Sequence, residues 1–281
     1  MTRQRRRTGR RLGVVLAAAA LVASLAAAPP VTDGSGARGA ADSAALTAFD
    51  TVLPPTTLGL PLSGIRIALD PGHQLGNHNY PEQIRRLVPA GGFDKPCNTT
   101  GAATNGGYPE ATLNFRIARK VQDRLEALGA RVFLTRTRNS ESLWGPCVDT
   151  RGEFGELVGA RLTVSLHADG APSSGRGFHV IAPRSRSPWT TDIARPSRRL
   201  AKALRAGMDA RGLPRSTYIG DGTALSIRSD LGTLNLSDVP VAMLEVGNMR
   251  NASDAHRMTT RKGRTKYARA VVRGIRLYLG R

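Results

Sequence analysis

The sequence has little aromatic character, few acids and almost no cysteine, and each shortage removes a class of protein. Aromatics make up 5% of the 281 residues. They do not interleave with the basic residues as a base-stacking platform for nucleic acid requires, so nucleic-acid binding is set aside. Acids number 21 against 41 lysines and arginines, a formal charge of +20. A positive surface favours anionic polymers, either nucleic acid or the acidic glycopolymers of a cell wall. Only two cysteines occur, Cys97 and Cys147, and neither has a second Cys or His at zinc-ligand spacing. In an exported chain an even count makes a disulfide the default, with a zinc site on the pair as the alternative. The bond would close a loop of about 50 residues, worth at most roughly 4 kcal/mol on the chain-entropy model.

After residue 28 no segment approaches 18 consecutive apolar residues, so no later membrane span is expected. What stands before it is different. Six arginines and no acid precede Leu12, then 17 apolar or small residues run to an Ala26-Ala27-Ala28 site followed by two prolines. This reads as a secretory signal peptide over 1–28, with an uncleaved anchor as the competing reading. Removal of the six arginines lowers the formal charge from +20 to +14. The mature chain is expected to be a soluble monomer, secreted to the periplasm or cell wall, and export favours the wall as partner.

Residues 29–62 are rich in Pro, Ala, Ser, Thr and Gly without a sustained period, and read as a linker or loosely ordered leader. The catalytic domain is expected over 63–281. Strand-like runs occupy 65–70, 131–136, 162–168, 177–182 and 239–247. Helical periods lie between them, over 110–128, 151–160, 192–211 and 264–279. The first carries Leu113, Ile117, Val121, Leu125 and Leu128 on one stripe, with Pro109 at its start and Gly129 as its stop. This alternation implies a single α/β domain, a mostly parallel twisted sheet with helices on both faces. No internal repeat is present. The segment 74–107, dense in Gly, Asn, Thr and Pro, is too long for a simple strand-to-helix turn and is expected to shape a groove.

In open α/β sheets ligands bind beyond the carboxyl ends of the strands. His73 lies just past the first strand in "ALDPGH", and His167 ends the strand in "SLHAD". Glu110 opens the next helix and shares its buried stripe, three residues before Leu113 and seven before Ile117. Glu245, inside "VAMLEVG", is a carboxylate in a buried strand, which costs several kcal/mol unless it is paired or bound to a metal. Each has a structural alternative: a satisfied strand-end ring for His167, a turn hydrogen bond for His73, and dipole preference for Glu110. Together, two histidines and a glutamate form the ligand set of a catalytic zinc with one position open, and Glu245 is available as general base. The spacing is long range, 37 residues from His73 to Glu110 and 57 on to His167, so no compact motif carries the metal. His78, His179 and His256 read as structural or surface residues.

"IALDPGHQ", "GYPEATLNFRIARKVQDRLEALGARVFLTRT", "ARLTVSLHAD" and "VPVAMLEVGNMRN" resemble, in order, the motifs of the zinc-dependent N-acetylmuramoyl-L-alanine amidases of the Amidase_3 type. The resemblance covers about 63–279, with a long Cys-bearing loop similar to that of actinobacterial members. It implies one zinc per chain held by His73, Glu110 and His167, with Glu245 as the catalytic glutamate. It also implies peptidoglycan or its fragments as substrate, cut between the lactyl group of N-acetylmuramic acid and L-alanine. The residues after "EVG" depart from the family's more aromatic or aliphatic pattern. A zinc peptidase acting within the stem peptide and an inactive wall-binding module are the other readings, the latter at odds with Glu245.

Overall fold

The computed structural model describes residues 59–281; the signal peptide and nearly all of the leader lie outside them. β1 (Arg66–Pro71) leads into a long excursion that holds a 3-10 turn, α1 (Pro81–Arg85) and a hairpin of β2 (Leu87–Pro89) and β3 (Asp94–Pro96). There follow α2 (Glu110–Glu126), β4 (Arg131–Leu134), α3 (Val148–Leu157), β5 (Leu162–Asp169) and β6 (His179–Pro183). The chain ends with α4 (Ala194–Asp209), β7 (Leu225–Arg228), α5 (Gly232–Asn235), β8 (Val241–Asn248), α6 (Ala252–Thr259) and α7 (Arg261–Leu279).

Six strands form one sheet in the order β4-β1-β5-β8-β6-β7. Pairing is parallel except between β6 and β8, so β6 and β7 run against the other four. Alternate side chains serve opposite faces, the period of a strand. Val180, Ala182, Ala242 and Leu244 join the main core under α2, α4 and α7, whereas Ile181, Val241 and Met243 pack with Leu234 of α5 on the other face. The α2 stripe of Leu113, Ile117, Val121 and Leu125 is fully buried. Leu62 also lies in the main core, and its amide donates to Leu128 O at 2.8 Å.

Two features follow from small or special residues. Gly129, at φ +92°, turns the chain out of α2, and a Cβ there would sit 2.9 Å from Leu60 and Ser63. Cys97 and Cys147 are disulfide-bonded and buried with Val88, tying the excursion after β1 to the amino end of α3. None of the described helices is long and apolar enough to cross a membrane.

Candidate metal and catalytic site

The carboxyl ends of β1, β5 and β8 meet at one edge of the sheet, and the amino end of α2 faces it. His73 follows β1 through Pro71 and Gly72 and holds φ +58°, a left-handed conformation that costs a non-glycine residue on the order of 1–3 kcal/mol. Surrounding groups hold it there. Arg151 Nη2 donates to His73 O at 2.9 Å, and Arg136 Nη2 donates to Gly72 O at 3.3 Å. Pro71 O accepts from both guanidiniums, from Arg136 Nε at 2.9 Å and Arg151 Nη1 at 3.0 Å. Arg151 also pairs with the fully buried Asp70, whose two oxygens further accept from Thr135 and Ser165. Burial works to raise Asp70, but Arg151, His167 and the two hydroxyls outweigh it and hold the carboxyl below its usual range. Arg136, buried beside Arg151, is pushed down to about 9, burial being the larger cause.

His73, Glu110 and His167 converge so that one ligand atom from each lies within 4.8 Å of the others. Glu110 Oε1 is 3.2 Å from His73 Nε2 and 3.0 Å from His167 Nδ1. The same oxygen accepts from Asn114 Nδ2 and the Ala168 amide, both at 3.1 Å, and Oε2 accepts from the Ala102 amide at 2.7 Å. The two imidazoles meet edge to face, 4.8 Å between centroids. Glycines wall them in: a Cβ on Gly72 would lie 2.2 Å from the His167 ring, and one on Gly101 would lie 2.9 Å from both Glu110 and His73.

These residues fit a zinc ion, and the hydrogen bonding of His73 supplies the reason. Its Nδ1 lies 3.0 Å from the carbonyl of Thr99, and donation to that carbonyl is the tautomer that frees Nε2 for a metal. In a neutral ring, Nε2 then presents a lone pair to the Glu110 carboxylate. Two electron-rich atoms at that distance repel unless a proton or a cation lies between them. Accordingly, although burial works against it, the charge of Glu110 and its hydrogen bond raise His73 above its usual value. Burial likewise opposes ionisation of Glu110, but His73 and His167 drive its carboxyl well below the usual range. Two imidazole nitrogens and one carboxylate oxygen are a donor set that zinc prefers, and the fixed tautomer of His73 aims Nε2 at the centre.

Glu245 pairs in register with His167 across β5 and β8, and with His179 across β8 and β6. Its Oε2 is sealed from solvent and has no hydrogen-bond partner. Burial first, then the charges of Asp169 and Glu110, push it well above the usual carboxylate range, opposed only by Arg228. His179 was expected in mid-strand; it is the first residue of β6 and stands beside Glu245 because β6 runs antiparallel. Burial lowers His179 below its usual value, with Asp169 opposing. Tyr218 donates to Asp169 Oδ2 at 2.9 Å, and Asp169 Oδ2 is 3.5 Å from His179 Nδ1. Asp169, Tyr218 and the two buried arginines were not singled out from the sequence. "SLHAD" displays Asp169 two residues past His167, but Tyr218 lies in a loop with no local pattern.

Residues 67–276 match the family model described as N-acetylmuramoyl-L-alanine amidase. The chain is 41% identical over 220 residues to the N-acetylmuramoyl-L-alanine amidase Rv3717 of Mycobacterium tuberculosis, covering 78% of this chain and 88% of that one. It superposes on the crystal structure of the amidase Ami1 from Mycobacterium smegmatis with a TM-score of 0.72 and 41% identity, over 78% of this chain and 98% of that one. AmiC2 of Nostoc punctiforme, 23% identical with a TM-score of 0.57 over 78% of this chain and 99% of that one, shares the fold. A six-stranded sheet, a His-Glu-His cluster at its edge and this extent of likeness lead to one statement: the chain belongs to the N-acetylmuramoyl-L-alanine amidase family, Amidase_3.

Proposed function

We propose that this chain is an exported peptidoglycan hydrolase. It cleaves the amide between the lactyl group of N-acetylmuramic acid and L-alanine, using one zinc held by His73, Glu110 and His167. Glu245 serves as general base. Residues 1–28 act as the signal peptide, 29–62 as a leader and 63–281 as the catalytic domain. The observation that carries the reading is Glu245: a half-buried residue whose carboxylate oxygen Oε2 is sealed from solvent and unpartnered, one strand away from a convergent metal-ligand set.

Bound there by His73, Glu110 and His167, zinc would supply Lewis acidity toward the scissile carbonyl and toward water, whose pKa such an ion lowers toward ~7. The remaining work falls to side chains. Glu245 takes the proton from the attacking water and hands it to the alanine nitrogen, which leaves as an amine. Its raised affinity for a proton suits the second half of that shuttle. A cation held by His73, Glu110 and His167 would lower that affinity and suit the first half. Asp169, fixed by the Tyr218 hydroxyl, keeps a negative charge near Glu245 and contributes to the same upward shift. Arg136 and Arg151 hold the strained turn that carries His73 and so fix the direction of its ring toward Glu110 and His167.

The test is digestion of purified peptidoglycan and of soluble muropeptides with the zinc-loaded protein, followed by mass analysis. Stem peptides with a free L-alanine amino terminus, together with sugars that keep an intact lactyl carboxylate, are expected. Products cut inside the stem peptide would instead identify a zinc peptidase.

A further inference from the structure

From Ala255 to Arg281 the chain carries nine lysines and arginines and no acid. Most of that stretch is α7, which packs between α2 and α4 on one face of the sheet. Two grooves run beside it. One, of about 460 Å³, is lined by Arg124, Arg211, Arg269, Arg273, Arg276 and Arg281. The other, of about 880 Å³, shares Arg211 and Arg269 with the first and adds Arg261, Lys262 and Lys266. The two therefore form one continuous channel with nine cationic side chains and no Asp or Glu in its lining. None of the nine forms an ion pair among the described residues. The buried Nε of Arg276 has no acceptor at all.

We propose that this channel docks a linear phosphodiester polyanion, a polyol- or sugar-phosphate chain of the cell envelope. Seven of the nine cations are arginines, whose planar forks match phosphate oxygens two at a time. Arg261 to Arg276 span ~22 Å along α7 at the rise of a helix, so a chain laid in the channel meets several cations in succession. A bilayer fits less well. Leu277 is the one exposed large hydrophobic in the lining, and no Trp or Phe is there to enter the headgroup layer. Nucleic acid fits less well too, since neither groove offers an aromatic ring for a base. The channel is remote from the metal cluster. Arg124 lies fourteen residues beyond Glu110 on α2, ~21 Å along the axis. The proposal goes beyond the hydrolytic function and stands apart from it, giving the domain a hold on the envelope.

The experiment measures binding of the purified full chain to poly(glycerol phosphate) of defined length, and to phosphatidylglycerol vesicles at equal phosphate, across a range of salt. The Arg211→Glu/Arg269→Glu variant should bind the polymer at least tenfold more weakly. Its dependence of log affinity on log salt should fall by about two or more. Arg211→Gln/Arg269→Gln should lie between that variant and the parent. Arg85→Glu/Arg161→Glu carries the same change in formal charge but lines neither groove, and should weaken binding less than threefold. Release of stem peptides from a soluble muropeptide should be unchanged in all three. Equal weakening by both Glu pairs would mean bulk charge without a site and would overturn the proposal, as would tighter parental binding to vesicles than to polymer.

Discussion

Replacing Arg151 by Met tests the scaffold under His73. The guanidinium is buried and donates to Asp70, Pro71 O, His73 O, Gly145 O and Pro146 O. Met fills much of the same volume but strands Asp70, which is wholly buried, with two hydroxyls as its remaining close donors. Breaking a buried pair from one side costs about 3–5 kcal/mol, a large share of the roughly 5–15 kcal/mol that holds a domain together. At a urea slope of ~2 kcal/mol/M the midpoint should fall by about 1.5–2.5 M. Because the folded pKa of Asp70 is depressed, its stabilisation is present above the unfolded value of about 3.9 and disappears as pH falls through the folded value. The difference between parent and variant should therefore be largest near neutrality and shrink in acid, where a protonated Asp70 is no longer a stranded charge. Asp70→Asn/Arg151→Met should recover part of the loss. Urea melts of the metal-free proteins at neutral and acid pH supply the numbers. A midpoint within 0.3 M of the parent at neutral pH, a threshold set at roughly 0.6 kcal/mol on the same slope, would refute the reasoning.

Two further outcomes follow from the metal cluster. Gly72→Ala puts a Cβ 2.2 Å from the His167 ring, so zinc content by atomic absorption should drop by at least tenfold while the far-UV spectrum stays that of the parent; full occupancy would show that the ring can yield. His73 is raised above its usual value in the metal-free protein, and it must lose that proton to bind zinc. Affinity measured by chelator competition should therefore begin to weaken, as pH falls, above the range of an ordinary histidine. An affinity independent of pH between 8 and 6 would contradict this.

The α/β architecture was legible because its signals are local. The α2 stripe, the buried strand runs and the Gly129 stop each depend on residues a few positions apart, and α2 begins at Glu110 as its period suggests. The direction of β6 was not legible. A five-residue buried strand has the same composition in either orientation, and only its pairing with β8 reveals that His179 belongs at the site edge. β7 and the β2–β3 hairpin were missed for a related reason, since three or four residues carry no period. At the site, the principle that ligands gather beyond strand carboxyl ends singled out four groups from one line of text. It could not single out Arg136 or Arg151, because most of their partners are backbone carbonyls, which have no sequence signature.

The role of Glu245 is the centre of the account, and Glu245→Gln addresses it most directly. The amide keeps the shape, removes the ionisable group and leaves His73, Glu110 and His167 untouched. Zinc content and rate of stem-peptide release should be measured on the same preparation. Full zinc with a rate lowered about 100- to 10,000-fold, the usual worth of general acid–base help, is the predicted result. A variant that binds zinc normally and releases stem peptides near the parental rate would contradict it, and loss of zinc would make Glu245 a ligand instead of a base.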